Sequence, residues 1–251
     1  MEEIQNHTWQ IESLRLTSFL KNDFNSSALE NWLKEISKNE PLSINKSVNH
    51  FQGVAQVGSS MLTLSWNKSR IDLFLNSNAP SLENNIGNYN DIEKLMNEIL
   101  FVFFDIKDCP LSKRLAVGII LNIPIKDISE AAEVLQPKLK SVTSISGTTD
   151  FLFRINRPIR SKILPESQLN RLMTWSIAEM QIINMPFNIS QPIVAQQSVP
   201  NISELMCRLE MDFNTIASED VEMLADQQKS ITNELLNEAM KVAKNGEFGV
   251  E

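Results

Sequence analysis

The spacing of apolar and polar positions changes along the chain, and each change marks an element. Between Trp9 and Leu20, the residues Leu14, Leu16, Ser18 and Leu20 alternate with Arg15, Thr17 and Phe19, which predicts a strand. Asn25, Ser26 and Ser27 then offer helix N-caps, and Leu29, Trp32, Leu33 and Ile36 form one stripe at helical spacing. Period two returns in Phe51–Val57, Met61–Trp66 and Arg70–Asn76. These read as three short antiparallel strands joined by turns at Gly58-Ser59-Ser60 and Asn67-Lys68-Ser69. The Asn-rich segment Ser77–Tyr89 reads as a loop. Asn90 or Asp91 caps the next helix, where Ile92, Leu95, Met96, Ile99, Leu100 and Phe103 share one face.

Past Pro110, Lys113–Ile123 is apolar on both faces, which predicts a central strand in a sheet covered on both sides. A short helix, Ile128–Leu135, stops at Pro137. Residues 150–183 predict two strands facing each other across a loop. The arms carry matching tripeptides, Ile155-Asn156-Arg157 and Leu169-Asn170-Arg171. Residues 169–180 also fit a helix, but Thr174, Trp175 and Ile177 favour a pleated surface. Pro186–Pro200 is a connection, and Leu205–Phe213 is the final strand. Ser218 caps the longest helix, Glu219–Lys244, which ends at Asn245-Gly246. Its stripe of Val221, Leu224, Ile231, Leu235 and Val242 is interrupted by Gln228 and either crosses the sheet or forms a surface for oligomerisation. The order predicts an α+β fold, mainly antiparallel sheet packed by four helices, the C-terminal one long. It forms a single domain or two halves sharing a sheet, 1–140 and 141–251.

Composition adds exclusions. With 42% hydrophobic and 22% charged residues in 251, the chain is globular. A net charge of −8 argues against nucleic-acid binding by the whole surface and leaves room for a local basic patch. Cys109 and Cys207 lie far apart and read as reduced thiols. The acidic start lacks an apolar core, and the runs Ile99–Phe104 and Leu115–Ile125 are too short to span a bilayer. A cytoplasmic protein without membrane contact is expected. Seven scattered glycines supply no phosphate loop, and two histidines with two distant cysteines supply no zinc spacing. No cofactor, metal or catalytic residue is expected.

Four of the eight arginines fall between Arg154 and Arg171. Arg154, Arg157, Arg160, Lys162 and Arg171 against Glu166 give this stretch a charge of +4. Guanidinium forks suit carboxylate or phosphate, and Asn156 and Asn170 add directional hydrogen bonds. These seven residues are the candidate site for an acidic protein or a nucleic acid. The plainer alternative is a solvated hairpin whose arginines pair with the protein's own carboxylates. Glu210 and Asp212, with Glu179 approaching, form a second candidate for metal or acid–base chemistry. Here the plainer alternative is the solvated outer face of an edge strand.

RLAVGIILNIPI, FRINRP with LNRLMTW, and LEMDFNT before a long helix together make the chain resemble an uncharacterised, sporadically distributed bacterial family of about this length. The positions nearest the family pattern are Arg114, Gly118, Asn122, Asp212 and Asn214, with three residues rather than one between Arg114 and Gly118. The resemblance implies an antiparallel α+β protein and no established activity. The expected function is a non-enzymatic binding protein engaging its partner through the basic hairpin, in a defence or toxin–antitoxin setting. The alternatives are a chaperone-like oligomeric module, or an enzyme built from Glu179, Glu210, Asp212 and the arginines.

Overall fold

The computed structural model describes residues 7–22, 24, 26–78, 85–148, 150–182, 202–216 and 222–249. Its alternating segments form one antiparallel sheet, and the protein is α+β. The strands are β1 (Gln10–Leu20), β2 (Ser43–Ser47), β3 (His50–Val57), β4 (Ser60–Asn67) and β5 (Arg70–Ser77). They continue with β6 (Ser112–Ile125), β7 (Leu152–Asn156), β8 (Ile159–Arg160), β9 (Gln168–Ile182) and β10 (Ile202–Thr215). Their order in the sheet is β2-β3-β4-β5-β1-β6-β10-β9-β7, with β8 also on β9. Residues 169–180 are therefore strand. The helices are α1 (Leu29–Ser37), α2 (Ile92–Leu95), α3 (Val102–Asp105), α4 (Ile128–Leu135) and α5 (Ala225–Asn245). A π turn at Met96–Leu100 joins α2 to α3, so residues 89–105 run as one helical segment.

The element order repeats. β1, α1, β3, β4, β5 and the 89–105 helix correspond to β6, α4, β7, β9, β10 and α5, and in each half the first strand pairs with the last. β1 and β6 pair antiparallel at the centre of the sheet, from Gln10 opposite Asn122 to Leu20 opposite Ser112. The halves are thus related by a pseudo-two-fold axis through that seam. By topology they meet between α3 and β6, and α4 belongs to the second half.

Among the described residues all helices lie on one face. Leu14, Leu16, Leu73, Leu75, Val117, Ile119, Leu209, Met211 and Phe213 point into that layer and are buried. The stripe of α1 covers β3 and β4, and Gly53 makes room for it: a Cβ there would stand 2.6 Å from Leu33 Cδ2. Ile231, Leu235 and Val242 of α5 are fully buried over β6, β10 and β9. The apolar stripe of α5 thus crosses the sheet, and its outward positions, such as Asp226, Ser230, Asn237 and Lys244, are polar. Among the described residues no helix is long and apolar enough to cross a membrane.

Several expectations need correction. β6 is central but not covered twice: among the described residues no helix packs on the face carrying Arg114, Gly118 and Ile120. The long helix starts at Ala225, because Met223 exchanges backbone hydrogen bonds with Ser112 (2.9 and 3.4 Å) and Leu224 is extended. The proposed cap Ser218 lies outside the described residues, as do Asn25 and Pro186–Pro200. Gln228 does not interrupt the packing. It is fully buried, donates to the Pro110 and Met223 carbonyls (both 2.8 Å) and accepts from Ser112 Oγ at 2.8 Å. The helix at residue 89 is capped by Asn88, whose side chain accepts from Asn90 N while Asp91 accepts from Asn88 N, a capping box. Strand β2 is an addition, exposed at every position.

Gly246 ends α5 at φ 91°, and a Cβ there would stand 2.1 Å from the Lys138 carbonyl oxygen. Gly246→Ala therefore combines left-handed strain with a backbone clash. It is expected to cost more than about 1 kcal/mol in urea unfolding.

Candidate binding site

The two Asn-Arg arms do face each other. Asn156 donates to Asn170 (3.1 Å) and accepts from Arg171 N (3.0 Å), while Arg157 N donates to the Arg171 carbonyl at 3.2 Å. Period two then divides the cations. Arg154, Asn156 and Asn170 stand on the uncovered face, whereas Arg171 turns toward the helices and is only 7% exposed. Arg171 donates to Glu238 (3.1 Å) and to the Arg157 carbonyl (2.9 Å). Burial pulls its pKa below the ordinary arginine value, against the raising pull of Glu238. Arg157 donates to Glu247 (2.8 Å) and Ser141 (2.9 Å) and lies 4.1 Å from the Phe248 ring centroid. Glu247 is fully buried and also accepts from Ser141 N. These two arginines therefore clamp α5 and the segment after it to the hairpin.

Arg160 pairs opposite Gln168, six residues along β9 from Thr174, the partner of Arg154. That separation is about 20 Å at strand rise. Lys162 lies past β8, where Glu234 accepts from Lys162 N (2.5 Å) and Ser161 Oγ (2.6 Å). The seven predicted residues do not form one patch. A buried pair that loses one partner leaves an uncompensated charge. Arg171→Ala is accordingly expected to cost about 3–5 kcal/mol in urea unfolding. The exposed Arg154→Ala should stay within about 0.5 kcal/mol.

The uncovered face carries a trench of about 420 Å³. Its lining crosses six adjacent strands: Phe74 on β5, Arg15 on β1, Gly118 and Ile120 on β6, Asp212 on β10, Leu172 on β9 and Arg154 on β7. Arg15, Gly118 and Asp212 stand opposite one another in register. A Cβ at position 118 would lie 3.0 Å from Arg15 Nε, so glycine lets the Arg15 side chain cross β6 and reach Asp212 at 3.3 Å. Glu210 pairs with Arg208, which also holds Glu12 at 2.9 Å. Arg15 Nε is buried without a hydrogen-bond acceptor. Arg154 is exposed and has no ion-pair partner among the described residues. Farther along the same face, Arg114 donates to Asn214 (2.9 Å), and Arg70 and Arg114 stand 5.4 and 5.0 Å from the Phe19 ring centroid.

The second predicted cluster does not assemble. Glu179 stands opposite Leu205 and so faces away from Glu210 and Asp212. β10 is an interior strand between β6 and β9, not an edge. No group of three His, Cys, Asp or Glu among the described residues is placed to hold a metal. Arg15, Phe74, Ile120, Leu152, Leu172 and Thr174 were not singled out in the sequence. Alternation assigns each to a face, but only the three-dimensional arrangement shows which face stays open. Arg114, Gly118, Asn122, Asp212 and Asn214 all lie on that open face of the neighbouring β6 and β10. No protein-family model matches the chain, and no curated protein matches it either.

Both cysteines are free, Cys207 buried and Cys109 half-buried. Burial pushes each thiol up to about 12, helped by Asp105 at Cys109 and Glu130 at Cys207. Since the thiolate is the nucleophile, iodoacetamide at neutral pH should modify the native protein far more slowly than the urea-unfolded chain. Mass spectrometry of the labelled peptides reads this directly.

Proposed function

We propose that the protein is a non-enzymatic binding protein that recognises an acidic protein partner on the uncovered face of its sheet. The observation that carries this reading is Arg154. It stands exposed and unpaired in a trench whose other charged groups, Arg15, Asp212 and Glu210, already have ion-pair partners. Its positive charge faces outward in a protein whose net charge is −8. A nucleic-acid partner is supported less well, because phosphate tracks need several coordinated cations. Arg154, Arg160 and Lys162 are spread over separate places. Acid–base chemistry also draws little support, since both trench carboxylates are held in ion pairs.

Affinity purification from native cells with tagged wild type and Arg154→Glu tests the reading. Recovery of an acidic protein by the wild type and its loss from the folded variant is the expected result. Equal recovery by both would remove the trench from partner recognition. Arg157 and Arg171 are unsuitable for such a comparison because both hold the fold.

A further inference from the structure

We infer that the trench takes an extended segment of the partner protein, lying across the strands, with an acidic residue at the β7 end and apolar residues along the remainder. This rests on the binding reading above and names the chemistry of its ligand. The lining runs over six adjacent strands, five spacings of about 4.8 Å, or about 24 Å, the reach of roughly seven extended residues. A volume of about 420 Å³ drawn out over that distance is a shallow channel rather than a pit. Such a shape suits an extended chain better than a compact molecule.

Side chains follow a fixed order along the channel. Two rows line it. One runs Phe74, Arg15, Gly118, Asp212, Leu172, and the other Ser13, Ile120, Glu210, Thr174, Arg154. At the β7 end, Arg154 supplies the uncompensated charge and Thr174 stands opposite it with a hydroxyl. An acidic side chain fits there by charge complementarity. Leu152, 68% exposed, borders the same end, while Leu172, Ile120 and Phe74 offer apolar contact farther along. Over Gly118 the Arg15 side chain crosses the floor to Asp212, so the middle of the channel is formed by that ion pair. The segment is read by side chains along the trench and adds no strand to the sheet.

Selection of random heptapeptides on the immobilised full chain, with counter-selection on Arg154→Glu, tests the inference. The expected outcome is enrichment of sequences carrying Asp or Glu at one end and apolar residues after it. A synthetic enriched peptide should shift the amide signals of Gly118, Ile120, Leu172 and Arg154 in a saturable titration, and bind about fivefold more weakly to Arg154→Glu. Hexanoate serves as the probe for a free organic acid. Hexanoate shifting those amides while no peptide is enriched would overturn the inference in favour of a compact ligand. Peptides that lack an acidic residue, that map to other residues, or that are not enriched at all would also overturn it. If any of these occurs while the affinity-purified partner is still lost with Arg154→Glu, only the extended segment is refuted. If the partner too is indifferent to Arg154→Glu, the binding reading falls with it.

Discussion

The antiparallel seam between β1 and β6 is the constraint on which the rest of the structure depends. It joins the two halves of the repeated topology into one sheet and places their helices on the same face. Among the described residues the opposite face is then left without a helical layer. Because the seam sets Arg15 of the first half opposite Gly118 of the second, the trench is assembled from both halves and neither contains it alone. The seam is also tied to α5. Ser18 and Ser112 share a hydrogen bond of 2.5 Å across it, and Ser112 donates onward to the buried Gln228. A polar chain of this kind stabilises only when its members are satisfied, and here Gln228 makes all three of its bonds.

Most of the arginines are already engaged. Arg15, Arg70, Arg157, Arg171 and Arg208 pair with carboxylates, and Arg114 is held by Asn214. The two pairs that join the hairpin to α5 and its following segment are the most buried. They hold geometry more than they add stability, since desolvation offsets much of a buried pair's attraction. Within the trench, Arg154 differs from Arg15 in having no carboxylate partner among the described residues.

Much of the fold was legible because most strands bury one face and alternate accordingly. β1, β3, β4 and β5 follow from that period; β9 follows from its pleat-favouring Thr174, Trp175 and Ile177, and the paired Asn-Arg tripeptides correctly suggested facing arms. Strand β2 was invisible for the same reason, since SINKS buries nothing and has no period to read. β6 looked covered on both sides because Ala116, Gly118 and Ile120 resemble core residues. At least at Gly118 the small residue instead accommodates a long polar side chain from the next strand. Gln228 resembled a break in an apolar stripe, yet its three hydrogen-bond partners come from elements distant in sequence or outside the helix. The basic cluster was half legible. An odd separation already places Arg154 and Arg157 on opposite faces, but the pairing of Arg157 with Glu247 and of Arg171 with Glu238 depends on tertiary contacts.

The central claim is that the uncovered face is open in the free protein and available to a partner. Carbene footprinting of the isolated chain, read by residue-level mass spectrometry, tests this most directly. Leu152, Leu172, Ile120 and Phe74 should label well above Val117 and Leu209, which are buried under the helices. Labelling of those four at the low level of Val117 and Leu209 would mean that the face is already covered, and the account of the trench as a binding surface would be wrong.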